Sequence, residues 1–279
     1  MNIGIRLHDT APGTLAERLD FARAQGFSCA HVALSKTVDG FRMQDAPERL
    51  MEAYGAELKA LFLEKGMDCA VLGCYLTLAQ PEEEERARTQ AIYRAHLRFA
   101  KWMGAGVVGT ETPAADGVRY DPAAPESEEA FQLFLNSLRP VVRWAEEEDT
   151  ILAVEPVYRH IVSTQERTER MLEAIPSDHL RIILDAVNLL GPETAERADE
   201  IIAEAVRRLG EKVSVLHMKD FVRKENELVS CACGTGHMRY ETQLSLAKQR
   251  NLPMTLEDTH PGNAEAARRY LENQAARLG

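Results

Sequence analysis

The sequence has few cysteines and no long apolar run. Its 279 residues include five cysteines, an odd number without a paired framework, which argues against a disulfide-stapled scaffold and favours a reducing compartment. No apolar stretch approaches the roughly 20 residues that a membrane-spanning helix needs. The opening MNIGIRLHDT alternates like a strand and lacks the charged start and apolar core of a signal peptide. We therefore expect a cytoplasmic protein without membrane association.

Positive charge is also scarce, with 33 Lys and Arg against 44 Asp and Glu and a net charge of −11. Because phosphate neutralisation supplies most nucleic-acid affinity, this balance argues against nucleic acid as a partner. No Gly-x-Gly-x-x-Gly turn follows the first strand-like segment, which disfavours a doubly wound nucleotide-binding sheet. The G-x-G at 234–236 is isolated in a loop. Cys231 and Cys233 form a C-x-C that could bind metal, but no second pair lies nearby.

Strand-like and helix-like segments alternate along the whole chain. Strands are predicted at 3–8, 29–34, 69–76, 107–111, 151–156, 181–186, 213–219 and 253–258. Helices are predicted at 14–26, 46–66, 81–104, 127–148, 163–175, 192–210, 240–251 and 263–278. Eight such units, without a linker or low-complexity stretch, fit the ~250 residues of an eightfold barrel. The sequence predicts a single (β/α)8 TIM barrel over residues 1–279, with an open doubly wound sheet as the alternative.

Four consecutive strands of the second half end in polar residues. The chemistry of a barrel lies where its strands end at the carboxyl face. The motifs AVEP, ILDA, LHMK and TLED place four candidates there, namely Glu155, Asp185, His217 and Glu257. Because strand side chains alternate in direction, the aliphatic residue before each candidate would face the helices. The four polar side chains would then point into the barrel at one height.

Three carboxylates and one imidazole at one point predict a metal site. Buried carboxylates without a counter-charge repel one another and are costly to desolvate. One divalent cation per chain would offset that cost. One nitrogen with three carboxylates suits Mn²⁺ best, with Mg²⁺, Co²⁺ and Zn²⁺ as alternatives. For each residue taken alone, a hydrogen-bonded position at the barrel rim is the other interpretation.

These four residues, in the motifs AVEP, ILDAVN, LHMKD and TLED, resemble the xylose isomerase-like TIM barrels, which include sugar phosphate isomerases and epimerases. The resemblance covers essentially the whole chain. It implies that Glu155 and Glu257 are metal-binding acid/base residues. The cation would polarise the carbonyl of a small sugar or hydroxy-carbonyl compound, while one glutamate removes the neighbouring proton and the other returns one. An inosose-type dehydratase and a non-catalytic sugar-binding barrel are the alternative functions.

Further residues fit substrate-binding roles. Arg223 resembles an arginine that ketose 3-epimerases carry after strand seven, although a solvated loop residue fits equally. Lys219 shares the inward direction of His217, with a surface ion pair to Asp220 as the alternative.

Three strand ends of the first half complete the predicted substrate site. His8 ends strand one and Glu111 ends strand four, where rim hydrogen bonds are the alternative role. Tyr75 ends strand three and could flank the substrate or simply pack. A homo-oligomer is left open, because one sequence does not reveal its exposed interfaces.

Two positions depart from relatives within the resembled family. Asn188, also a candidate for substrate binding, stands where ketose 3-epimerases have a histidine, and Ile161 stands where they have a second acid. A plain ketose 3-epimerase is therefore disfavoured. The AP endonucleases of the family need further histidines for three zinc ions. Asn188 and the lack of an Asp-Arg-His triplet after strand seven disfavour that function.

Overall fold

The computed structural model describes residues 1–112, 127–225 and 227–278. Its strands are β1 (Ile3–Arg6), β2 (Cys29–Val32), β3 (Asp68–Gly73), β4 (Val107–Glu111), β5 (Leu152–Glu155), β6 (Leu180–Asp185), β7 (Val213–Met218), β8 (Asp220–Lys224), β9 (Glu227–Cys231) and β10 (Met254–Leu256). Eight strands pair in parallel into a closed barrel, in the order β1-β10-β7-β6-β5-β4-β3-β2. The predicted (β/α)8 barrel is confirmed. That residues 1–279 form one domain stays a prediction, since 113–126 lie outside the described residues.

Helices surround this barrel. They are α1 (Leu15–Ala24), α2 (Leu34–Thr37), α3 (Ala46–Arg49), α4 (Glu52–Glu64), α5 (Glu83–Met103), α6 (Glu128–Glu148), α7 (Gln165–Ala174), α8 (Ala198–Leu209), α9 (Glu241–Arg250) and α10 (Ala264–Ala276). Local signals set several ends: Thr14 and Glu17 form a capping box before α1, and Gly104 closes α5 in the left-handed region at φ 75°. None of the described helices has the length and apolar character that crossing a bilayer requires.

Several local differences separate the structure from the sequence prediction. β1 and β3 end at Arg6 and Gly73, so His8 and Tyr75 lie just beyond the strands that they were predicted to end. The helix predicted at 46–66 is divided into α3 and α4, because the buried Leu50 leaves the helical conformation (φ −82°, ψ 72°) between them. The antiparallel hairpin β8–β9 was not predicted. Its anchor is the buried Asp220 carboxylate, which accepts backbone N–H bonds from Phe221 (2.9 Å), Gly234 (3.0 Å) and Met238 (2.8 Å). These bonds tie the hairpin to the loop that follows it.

Two apolar clusters show which way each strand residue faces. The larger one joins barrel and helices and includes Val154, Leu184, Leu216 and Leu256. The smaller one lies inside the barrel and includes Cys29, Ala153, Ile183 and Val215. This confirms the predicted alternation. The residues two positions beyond the inner cluster therefore continue along the barrel interior toward its mouth.

Candidate metal centre

The four predicted ligands meet at the carboxyl end of the barrel, and all four are buried. Asp185 is paired in register with His217 on the neighbouring strand. His217 Nδ1 lies 3.1 Å from Glu155 Oε2 and 3.3 Å from Glu257 Oε1. Thr255, rather than Glu257, pairs in register with His217. Glu257 is therefore two residues beyond that level, and its longer side chain closes the gap.

Lys219 supplies a buried positive charge to this group. Its Nζ lies 3.1 Å from Asp185 Oδ2 and 3.6 Å from Glu257 Oε2. The alternative ion pair with Asp220 is wrong, because the Asp220 carboxylate accepts backbone N–H groups instead. The prediction of a metal ion assumed that the buried carboxylates have no counter-charge. Lys219 supplies part of that counter-charge.

Arg6, at the end of β1, is a second cation that the sequence argument did not use. Its Nη1 lies 3.4 Å from Glu257 Oε2, while its other nitrogens donate to Asp9 (3.0 Å) and Asp258 (3.1 Å). One guanidinium is thus shared among three carboxylates. Negative charge still exceeds positive charge around Glu257, so the centre continues to attract a cation.

The pKa shifts of the site residues also reflect this excess of negative charge. Burial lowers the pKa of His217, but the Glu257 and Glu155 carboxylates outweigh it and raise the value to about 9. Burial raises the pKa of Asp185 to about 6 despite the Lys219 ammonium. Burial also opposes ionisation of Glu257, yet His217 and the two cations hold its pKa well below the usual range. Without a metal ion, the imidazole takes up the proton that supplies the positive charge.

The donor atoms fit a divalent cation. Two sets of three donors share His217, namely Glu155, Asp185 and His217, and His31, His217 and Glu257; within each set the donor atoms lie within 4.8 Å of one another. His217 Nε2 and both ring nitrogens of His31 are buried without a hydrogen-bond partner among the described residues. An unpartnered buried polar atom is costly, and a bound metal ion would supply a partner.

Sequence reasoning missed His31, on β2. Its side chain is 2% exposed, and its ring stacks on that of His217 with centroids 5.2 Å apart and an interplanar angle of 16°. Its Nδ1 lies 3.9 Å from Glu257 Oε1. A signal was present in CAHVAL, where His31 has the same strand parity as the inward-facing Cys29. A polar residue facing the barrel interior marks a candidate site residue.

A pocket of about 390 Å³ is lined by two of the four predicted ligands, Glu155 and Glu257. It brings together five of the six predicted substrate residues, namely His8, Tyr75, Glu111, Asn188 and Lys219. Arg223 is placed elsewhere: on β8, half-exposed, its Nη1 lies 2.9 Å from Glu196 Oε1. This geometry does not support the proposed substrate role of Arg223, which stays a prediction.

The pocket residues differ in charge. Asn188 donates from Nδ2 to Glu155 Oε1 at 2.6 Å and so fixes that carboxylate. Burial, with the Glu155 and Glu257 charges, raises the pKa of Glu111 to about 7. Burial and the nearby Arg6 lower the pKa of His8 to about 3, so His8 is neutral at neutral pH. Neutral and partly ionised groups therefore line the pocket beside the carboxylates.

Comparisons with known proteins place this chain in a family. Residues 19–274 match the xylose isomerase-like TIM barrel family, and the chain belongs to it. A comparison with curated protein sequences gives no match.

Solved structures share the fold at low sequence identity. A D-tagatose 3-epimerase-like protein is 16% identical at a TM-score of 0.76, with 100% of this chain and 98% of that chain covered. The 3-keto-D-glucoside 4-epimerase of E. coli is 16% identical at 0.74, covering 98% and 99%. The IOLI protein with a bound zinc atom is 15% identical at 0.74, covering 100% and 98%. At these identities the likeness establishes the fold.

Proposed function

We propose that this protein is a divalent-metal-dependent isomerase or epimerase of a small sugar or hydroxy-carbonyl compound. The observation that carries the proposal is the pair of buried carboxylates, Glu155 and Glu257, on either side of His217 Nδ1 beside an open pocket. Two carboxylates at one bound substrate can remove a proton at one position and return one at another. Family membership and the epimerases among the structurally similar proteins support this class of reaction.

Glu155, Asp185, His217 and Glu257 would hold the cation. When bound, a divalent ion polarises a carbonyl and so acidifies the neighbouring C–H group. The single nitrogen of this four-residue set, with its three carboxylates, favours Mn²⁺. We propose one such ion per chain.

The protein's own groups divide the remaining work. Glu257 is held ionised by its cationic neighbours and is therefore in the unprotonated form that accepting the substrate proton requires. Asn188 orients Glu155 for the second transfer through its 2.6 Å hydrogen bond. The Lys219 ammonium lines the pocket and lies where it can stabilise negative charge developing on a substrate oxygen. The Glu111 and His8 side chains are placed to hydrogen-bond substrate hydroxyls.

Glu257→Gln tests the acid/base role. We expect this variant to lower the rate of solvent deuterium uptake beside the substrate carbonyl by about 10²- to 10⁴-fold. Mass spectrometry across a panel of ketoses and hydroxy acids, with Mn²⁺ present, would measure it. Glu196→Gln, at an exposed carboxylate that pairs with Arg223, is the matched control and should exchange like wild type.

Three outcomes would contradict this proposal in different ways. Unchanged exchange in Glu257→Gln would remove that residue from the reaction. A product lighter by one water would identify a dehydratase, which shares the initial proton removal. Recovery of every panel member unaltered and without deuterium, from metal-loaded wild-type protein, would favour a sugar-binding barrel.

A further inference from the structure

His31 is a buried imidazole that the proposed reaction does not use. It lies in the barrel interior at 2% exposure, and neither ring nitrogen has a hydrogen-bond partner among the described residues. A buried ring nitrogen without a partner is costly, and a bound metal ion would supply that partner. A neutral imidazole with a free lone pair is the form that binds metal ions.

The backbone around His31 leaves room for its ring. A Cβ placed on Gly73, at the end of the adjacent strand β3, would lie 2.9 Å from His31 Nε2 and 2.9 Å from the Tyr75 ring. Any other residue at position 73 would therefore displace His31 or Tyr75. With glycine there, the imidazole can lie flat against His217, and its Nδ1 stays within reach of Glu257.

The two donor sets describe one ion rather than two. Both contain His217, and His217 Nδ1 is the atom that faces Glu155 and Glu257. One nitrogen lone pair binds one metal ion. An ion bound at His217 Nδ1 would therefore also lie beside His31 and Glu257, the other members of the second donor set.

We propose that His31 is a fifth protein donor to this ion, which makes the centre one of two imidazoles and three carboxylates. The inference rests on the metal centre of the proposed function and adds a ligand to it. A second nitrogen donor moves metal preference from Mn²⁺ and Mg²⁺ toward Co²⁺ and Zn²⁺. With His31 counted, the centre is better suited to these borderline ions than the four predicted residues alone.

Pulsed electron paramagnetic resonance on protein loaded with one equivalent of Cu²⁺ would count the bound imidazoles, through the remote nitrogen of each ring. We expect two imidazoles in wild type and one in His31→Gln. His8→Gln is the matched control for this count, because His8 lines the same pocket but belongs to neither donor set, and it should retain two. His31→Asn provides a second variant if the first does not fold, as judged by circular dichroism.

Metal competition gives an independent readout. We expect His31→Gln to lower Zn²⁺ affinity by about 10- to 100-fold, the range typical of groups that support a metal site, and to lower Mn²⁺ affinity less. Equal losses for both ions would contradict the proposed donor role.

Failure of this inference can be separated from failure of the proposed function. A single imidazole in wild-type protein, with the ion lost in Asp185→Asn, would leave the four-residue centre standing and remove His31 from it. Wild-type Cu²⁺ binding in Asp185→Asn would overturn the metal centre itself, and the role of His31 with it.

Discussion

The two halves of the barrel mouth are built differently. Strands β5, β6, β7 and β10 each end in one buried metal-ligand candidate, and neighbouring ligands share register or differ by two residues. The first half presents unlike groups at or just beyond its strand ends: a shared arginine, two histidines, a tyrosine and a carboxyl group of raised pKa. The second half repeats a candidate metal ligand from strand to strand, whereas the residue type in the first half changes from strand to strand.

The proposed function would account for this difference by a division between metal binding and substrate binding. A metal ion needs several similar donors at one point, so equivalent strand positions carry similar residues. A substrate presents different atoms in different directions, so the wall that surrounds it has no repeating pattern. His31 is an exception, because it belongs to the first half of the chain but lies against His217 of the second half.

The largest expected difference between the halves lies in metal affinity. Asp185→Asn should lower it at least about 100-fold, because a direct ligand loses its charge. Glu111→Gln should leave it unchanged while lowering kcat/KM, because Glu111 lines the pocket without belonging to either donor set. Calorimetric titration would measure the Mn²⁺ affinity of both variants. Equal losses would mean that the halves share the metal site. Thermal unfolding would show whether the unpaired Lys219 destabilises Asp185→Asn.

Histidines of the two halves should make the stability of the metal-free protein depend on pH with opposite signs, and His217 and His8 are examples. The pKa of His217 is raised to about 9, so its stabilisation is present below about pH 6.5 and is lost as the pH rises through 9; the shift corresponds to roughly 3 kcal/mol. The pKa of His8 is lowered to about 3, so stability falls as the pH drops from 6.5 toward 3. Urea unfolding at stepped pH would measure both slopes.

Variants would assign each of these slopes. His217→Gln should reduce the dependence above pH 6.5, and His8→Gln should reduce the dependence below it. A metal ion bound at His217 should abolish the upper slope, because it excludes the proton. If the two variants flatten the same range, the two histidines do not differ as the structure indicates.

Arg223→Ala should have the smallest effect. Its partner Glu196 is exposed, and exposed ion pairs contribute about 0–1 kcal/mol. We expect kcat/KM to stay within about threefold of wild type, equivalent to less than 1 kcal/mol. Steady-state kinetics would measure it. A loss of tenfold or more would show that the hairpin moves Arg223 toward the pocket during turnover.

The fold and the meeting of the four candidate ligands were predictable because each follows from a repeating pattern. Alternating strand and helix segments predicted the barrel, and equal parity at four successive strand ends predicted which side chains meet. Both depend on local spacing, which a sequence displays directly.

The rest depends on contacts between distant segments. The counter-charges came from Arg6 and Lys219, and no local pattern reveals that Arg6 reaches Glu257 from the other end of the chain. His31 sits within an apolar strand, where a single polar residue also fits ordinary packing. The β8–β9 hairpin depends on the Asp220 carboxylate reaching N–H groups far along the chain. Arg6 and His31 meet their partners only when the barrel is closed, whereas the hairpin depends on contacts 14 and 18 residues apart in the sequence.

The shared guanidinium of Arg6 has a consequence for the order of events in folding. It lies at the seam where β1 pairs with β10, strands from opposite ends of the chain. Contacts between such distant segments carry the greatest loop-closure cost and form slowly. Glu257 meets Arg6 only across that seam. A partly folded barrel would thus bring Glu155, Asp185 and His217 together while Glu257 lacked one of the charges that keep it ionised, so the complete centre would form only at the end of assembly.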